Sequence, residues 1–310
     1  MVIGSATENL DHELPSSPMA RPHLSLVVVC SGWGTIPLIV RHVELPAQAL
    51  VFSRISIAAI GLAVAVRLTP GQRLLSYRPG QVALTAATLA VHWTALFAAY
   101  KRAPAATVSL IVFLAPVGIA ALAPSTLGER HSRRTLTALA IGASGLALVV
   151  APAISGETQT TGLLFALVAA VTFVALVLLS KPLSEAYGGL RITFMEMAGA
   201  TVLLVPFAAT VDWGRPQAEW WWLVVLGLVH TAVGTAVYLH ALGRIPATHV
   251  GILGYLEPAA VVLLSWLVLD ETPGLATLAG GVLIVLAGWL TVTEPAQPTQ
   301  PKEAPADVPR

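Results

Sequence analysis

The chain has 310 residues, of which 56% are hydrophobic and 11% charged, against about 25% charged residues in an ordinary soluble domain. So few charges cannot cover the surface of a water-soluble enzyme of this length, and lipid is the consistent solvent. Lys and Arg number 17 against 16 Asp and Glu, a net charge of +1, so there is no bulk basic field and no nucleic-acid partner is indicated. Cys30 is the only cysteine, which excludes an intrachain disulfide and a multi-cysteine metal site.

Residues 1–22 are polar, contain Glu8, Asp11, Glu13 and Pro15, and lack a basic stretch leading into a short apolar run. They read as a disordered tail rather than a signal peptide. A membrane-spanning helix needs about 20 mostly apolar residues, and that ruler predicts ten spans. In chain order they are Leu24 to Val43, Pro46 to Val66, Gln81 to Tyr100, Pro104 to Ala123 and Arg133 to Ala153, then Thr161 to Leu179, Ile192 to Val211, Trp221 to Leu242, Ala247 to Leu269 and Leu275 to Val292. Residues 294–310, rich in Pro, Gln and Glu, read as a second disordered tail. The expected fold class is an all-α integral membrane protein with ten transmembrane helices.

Orientation follows from Lys and Arg, which are in excess in cytoplasmic loops. With the N-terminus inside, inner loops hold Arg67, Arg73, Arg78, Arg130, Arg133, Arg134, Lys181, Arg191 and Arg244, and outer loops hold Arg41, Lys101, Arg102 and Arg215. The expectation is a multi-pass protein of the cell membrane with both termini in the cytoplasm. Trp220, Trp221 and Trp222 then form an aromatic belt at the outer start of the eighth span.

At an offset of 142 residues, Arg102, Pro104, Ala105, Val108, Leu114, Pro116, Leu122, Leu127 and Glu129 fall on identical residues from Arg244 to Glu271. Thr135 and Leu136 fall on Thr277 and Leu278, about eleven identities in some thirty-five positions. This predicts two five-helix repeats, 23–154 and 160–293. Five is odd, so the second copy enters the membrane from the opposite face, and inverted repeats are a signature of secondary transporters with a site near the bilayer midplane.

Gly32-Trp33-Gly34, Arg54-Ile55-Ser56-Ile57-Ala58-Ala59, Leu114-Ala115-Pro116 with Leu127-Gly128-Glu129, and Leu256-Glu257-Pro258 with Leu269-Asp270-Glu271 together resemble the EamA-type transporters of the drug/metabolite transporter superfamily. The resemblance covers nearly all of residues 24 to 293, with Pro124 as a departure. It implies ten spans in two inverted repeats, a central cavity, and movement of a small-molecule solute across the cell membrane, often outward.

Polar side chains inside a span cost energy and are functional candidates by default. Trp33, Arg54, His92, His230 and Glu257 each lie about nine to twelve residues into their spans, near mid-membrane at 1.5 Å per residue. Glu257 is the leading candidate, because a desolvated carboxyl can carry a proton and couple transport to a proton gradient. Gly251 and Gly254, one turn apart, leave room for a ligand beside it. The alternative is a structural Glu bonded to a neighbouring helix. His230 shares a helical face with Gly234 and Tyr238, and His92 shares one with Thr88 and Thr85. Either histidine can relay a proton or sit neutral against a hydroxyl or carbonyl. Arg54 needs an anion, either Glu257 in a lasting pair or a substrate carboxylate. Trp33, between two glycines with Pro37 one turn on, marks a bend and offers an aromatic wall.

Glu196, His240, His249 and Arg244 read as interfacial. Glu129 and Glu271 read as caps or loop anchors before helices five and ten. Ala138 with Gly142, and Ala276 with Gly280, suit close helix packing within the monomer or in a homodimer. No cofactor or metal motif stands out, and hydrolase elbow, metalloprotease and Walker motifs are missing from the sequence. The expected function is a secondary carrier, exporting and proton-coupled through Glu257. The alternatives are uncoupled efflux, an intramembrane enzyme using His92, His230 and Glu257 on a lipid, or a channel.

Overall fold

The computed structural model describes residues 20–40, 43, 45, 47–70, 78–103, 105–153, 160–209, 220–269 and 272–294. The expected tails, apart from residues 20–22 and 294, lie outside the described residues, as does Glu271. Among the described residues all regular structure is helical. The elements are α1 (Ala20–Trp33), α2 (Ile36–Val40), α3 (Ala47–Leu68), α4 (Pro79–Tyr100), α5 (Ala105–Val112), α6 (Ala115–Leu127), α7 (Arg133–Val150) and, after a 3-10 turn at Ala151–Ala153, α8 (Thr160–Tyr187) and α9 (Gly189–Ala208). They continue with α10 (Trp220–Val225), a π-helical stretch Leu226–Val233, α11 (Gly234–Leu242), α12 (Ala247–Gly254), α13 (Leu256–Leu269) and α14 (Leu275–Val292). Eight stretches are long and apolar enough to cross a membrane, and Pro22–Trp33 and Ala115–Leu127 are shorter apolar helices.

The bundle is built for lipid. Small residues fill its interior, with Ala49, Ala58, Ala99, Ala138, Ala166, Ala169, Ala200, Ala241 and Ala247 fully buried. Large apolar side chains such as Leu68, Val171, Val202, Phe207, Leu267 and Val282 face outward. Helices in lipid gain nothing from hiding leucine from its surroundings, so close backbone approach over small residues drives their association. Gly145 and Gly280 are the clearest case. A Cβ on Gly145 would stand 2.7 Å from the Gly280 carbonyl, and one on Gly280 would meet the Gly145 carbonyl. Of the small residues paired in the sequence, Gly142 and Gly280 lie in this contact of α7 with α14, whereas Ala276 is exposed and Gly145 belongs to neither pair.

Three of the expected spans are interrupted rather than continuous. The fourth and ninth break at matching positions of the repeat: α5 ends at Val112 before a turn at Phe113–Leu114, and α12 ends at Gly254 before a turn at Tyr255. The cause is Pro116 and Pro258. Proline has no N–H for the carbonyl four residues earlier and clashes with it, and those carbonyls belong to Val112 and Gly254, the last residues of α5 and α12. The first span breaks at Gly34–Thr35. The sixth runs eight residues past Leu179, so Lys181, expected in a loop, is helical and buried.

The helix contacts exchange in pairs when the halves are swapped. α3 packs on α9 and α7 on α14, each with its counterpart, and the contacts of α1 with α12 and α13 are mirrored by those of α8 with α5 and α6. The contact of α4 with α8 is mirrored by that of α11 with α1, and the contact of α4 with α9 by that of the π stretch with α3. This is the pattern of a pseudo-two-fold molecule.

Polar bonds lock the end of the bundle where α7 and α12 begin and α14 ends. Ser132 Oγ accepts from the Thr135 N–H at 2.9 Å, a helix cap. Glu129 anchors a different helix from the one expected: its carboxylate accepts the Ala247 N–H of α12 at 2.9 and 3.0 Å. Lys181 Nζ donates to the carbonyls of Leu242 and Ile245 at 2.9 and 2.8 Å and lies 3.5 Å from Glu129. His249, expected at the interface, is instead buried. It bonds His23 at 3.1 Å and stands 3.3 Å from the Glu294 carboxylate, which also accepts from Thr135 Oγ1 at 2.9 Å.

Candidate functional site

A cavity of about 170 Å³ opens between the two halves of the chain, lined from α1, α3, α4, α8, α9, α11, α13 and the π stretch. That volume is comparable to an apolar cavity known to admit benzene. Six of the seven residues singled out in the sequence line it: Trp33, Arg54, His92, His230, Tyr238 and Glu257. Gly254 does not. It ends α12, and a Cβ there would meet nothing within 4 Å. The space expected beside Gly251 is filled, because Pro116 of α6 packs on it.

Glu257 lies in the first turn of α13, just past the proline-made break. Among the described residues its carboxyl makes no hydrogen bond and no ion pair, so no helix backbone or hydroxyl claims it. Arg54 is buried in α3. Its Nε donates to Thr231 Oγ1 at 3.0 Å and its guanidinium sits 4.1 Å over the Trp93 ring, a cation–π contact strengthened by desolvation. The expected Arg54–Glu257 pair is not formed within ion-pair distance. Two opposite charges therefore line one cavity without closing on each other.

The π-helical stretch explains how Thr231 and His230 reach this site. Thr231 Oγ1 donates to Leu226 O, five residues back, at 2.8 Å, and π turns inside helices recur at functional sites. Trp33 Nε1–H donates to His230 O at 2.8 Å, while Thr35 Oγ1 and His230 Nε2 bond at 2.7 Å. The break in the first span is thereby tied to the π stretch in the eighth. Gly234 makes this possible, since a Cβ there would stand 2.7 Å from Trp33 Nε1. Trp33 and Tyr238 pack at 5.5 Å as one aromatic wall, and Trp93, Tyr100, Phe113 and Phe173 supply more.

His92 is at the cavity but occupied. Its Nδ1–H donates to Ala169 O of α8 at 2.9 Å and its ring stacks on Phe173 at 5.3 Å, which is the structural reading of a membrane histidine. Glu196 was missed. It is 2% exposed, lines the cavity and accepts a 2.6 Å hydrogen bond from Ser180 Oγ. Counting from a span that starts at Ile192 put it near the interface. The helix begins at Gly189 and turns that side chain inward.

The profile of the EamA-like transporter family matches residues 21–151 and 160–293. An uncharacterized transporter of Archaeoglobus fulgidus is 30% identical over 62% of this chain and 70% of its own. The probable terminal-alkyne amino-acid exporter of Streptantibioticus cattleyicolor is 30% identical over 76% of this chain and 80% of its own. The pseudopaline exporter CntI of Pseudomonas aeruginosa is 27% identical over 78% and 85%. A solved crystal structure superposes with a TM-score of 0.76 at 19% identity, covering 88% of this chain and 95% of the other, a likeness of fold.

Proposed function

The chain belongs to the EamA-like transporter family, and from that premise we propose that this multi-pass membrane protein is a secondary carrier exporting a small zwitterionic solute of the amino-acid class. The observation that carries the reading is the unpaired placement of Arg54 and Glu257 on one aromatic-walled cavity. A guanidinium whose Nε is committed to Thr231 keeps its two terminal nitrogens for a carboxylate, the geometry of a bidentate pair. A carboxylate across the cavity receives an ammonium. An amino acid brings both groups, and one relative of this chain is named as a probable amino-acid exporter.

The carrier has ten spans in two inverted repeats, with both termini in the cytoplasm, and its halves rock about the cavity. Glu257 couples the cycle to protons by exchange. A proton arriving from outside neutralises the carboxylate, the ammonium loses its partner, and the solute leaves. The proton is later released inside, where a new solute ammonium replaces it.

The test is efflux of radiolabelled L-leucine and L-phenylalanine from proteoliposomes under an imposed pH gradient. Wild-type efflux accelerates when the outside is acid, and Glu257→Gln loses that acceleration. Unchanged gradient dependence in Glu257→Gln would remove the carboxyl from the coupling.

A further inference from the structure

Glu196 is the carboxyl of the central cavity that the solute reading leaves unused. It closes the second turn of α9, counted from Gly189, about 10 Å along the axis at 1.5 Å per residue. Glu257 lies deeper, about 15 Å from the start of α12 at Ala247 by the same rise. Both helices start from one end of the bundle, the cytoplasmic end in the proposed orientation, where Gly189 packs directly on Ala236 and His240 of α11. At this end Lys181 Nζ holds the Leu242 and Ile245 carbonyls, and Glu129 holds the Ala247 N–H. Ser180, which donates to Glu196 and lines the cavity, is the residue before Lys181 in α8. Glu196 thus stands between the cavity and the lock that joins the two halves.

The carboxyl is dry and, among the described residues, has no counter-ion. It is buried, whereas Glu257 is half-buried. The helices packed on α9 are chiefly α3, α4, α8 and α11, and the cations they bring are held elsewhere. Arg54 of α3 is on Thr231 and Trp93, His92 of α4 is on Ala169 O, and Lys181 of α8 is on two carbonyls, Glu129 and Glu185. From α11 come Tyr238 and, exposed at its end, His240. Arg191 of α9 itself lies over the Tyr187 ring. Two hydroxyls remain. Ser180 Oγ donates to one carboxyl oxygen at 2.6 Å. Thr85 of α4 also faces the carboxyl, but its own hydrogen goes to Val82 O at 2.9 Å, so toward Glu196 it offers a lone pair. An ionised carboxylate buried without a cation is costly, and a lone pair facing it suits the protonated acid.

We propose that Glu196 is the proton-releasing acid of the cycle: it holds a proton behind the lock, gives it to water when the lock opens, and takes the next from Glu257. The Glu196 O–H bond breaks, and the proton goes to water at that end of the bundle. The carboxylate left behind is hydrated by the same opening and forms a new O–H bond with the proton carried by Glu257. Glu257 is then ionised and ready for a solute ammonium, and one proton has crossed. The relay rests on the proton exchange proposed above, whereas the protonation of Glu196 rests on its surroundings alone.

Infrared difference spectroscopy of the full chain in lipid at neutral pH reads that protonation without any solute. Wild type minus Glu196→Gln should show the carbonyl stretch of a protonated carboxyl, and its absence overturns the proposal. In proteoliposomes, counterflow of L-leucine moves no net proton, whereas efflux driven by outside acid must release one. The ratio of driven efflux to counterflow should fall roughly a hundredfold in Glu196→Gln, and Glu196→Asp should restore it. A merely structural Glu196 would lower both rates together, and that unchanged ratio would overturn the relay. A wild type without counterflow would instead remove the carrier reading, and the relay with it, while the infrared band would still stand.

Discussion

Arg54 is held twice, by the Thr231 hydroxyl at its Nε and by the Trp93 face under its guanidinium, and each contact is specific to arginine. Lysine keeps the charge but has neither the fork nor the plane. Arg54→Lys and Thr231→Val should therefore both weaken solute binding. A hydrogen bond to a charged group contributes about 1.5–3 kcal/mol, so KM should rise roughly tenfold to a hundredfold. Thr231→Ser should restore it, as measured by solute uptake into proteoliposomes. Unchanged KM in both variants would mean that Arg54 is structural. Arg54, His92, His230 and Glu257 were singled out by counting residues into each span, because a helix rises uniformly, and the four line one cavity. Their partners were not legible. Whether Glu196 turned inward depended on where α9 starts, and whether Arg54 met Glu257 or Thr231 depended on side-chain geometry across helices far apart in sequence.

At the scale of elements, local chemistry accounts for some features and not for others. The matched breaks after Val112 and Gly254 follow from two prolines four residues on, a rule readable in advance. The π stretch Leu226–Val233 has no such signal, since its residues suit an α-helix; its bonds run to Trp33, Thr35 and Arg54 on other helices. The glycines divide in the same way. Gly145 meets the Gly280 carbonyl, whereas Gly281, one residue along α14, faces open space. Gly145→Ala should then cost about 1–3 kcal/mol by overpacking and lower the thermal midpoint in detergent. Gly281→Ala should be neutral or slightly stabilising, as alanine is in a helix. Equal effects of the two would show that α7 and α14 do not meet through these glycines.

For the whole molecule, the repeat found at an offset of 142 residues reappears as helix contacts that exchange when the halves are swapped. The site breaks that symmetry. Glu257 stands where the first half has Ala115, so two related halves enclose a cavity with its free acid on one side and Arg54 on the other. The sequence named Glu257 as one candidate partner of Arg54; that the two line one cavity without pairing came from the fold. The central claim is that the cavity recognises both ends of a zwitterion, and counterflow in proteoliposomes tests it most directly. With the wild-type chain preloaded with L-leucine, external radiolabelled L-leucine should accumulate, and unlabelled L-leucine should compete with it. L-leucine methyl ester, which lacks the carboxylate, and N-acetyl-L-leucine, which lacks the ammonium, should compete at least tenfold less well. Equal competition by all three would contradict the account.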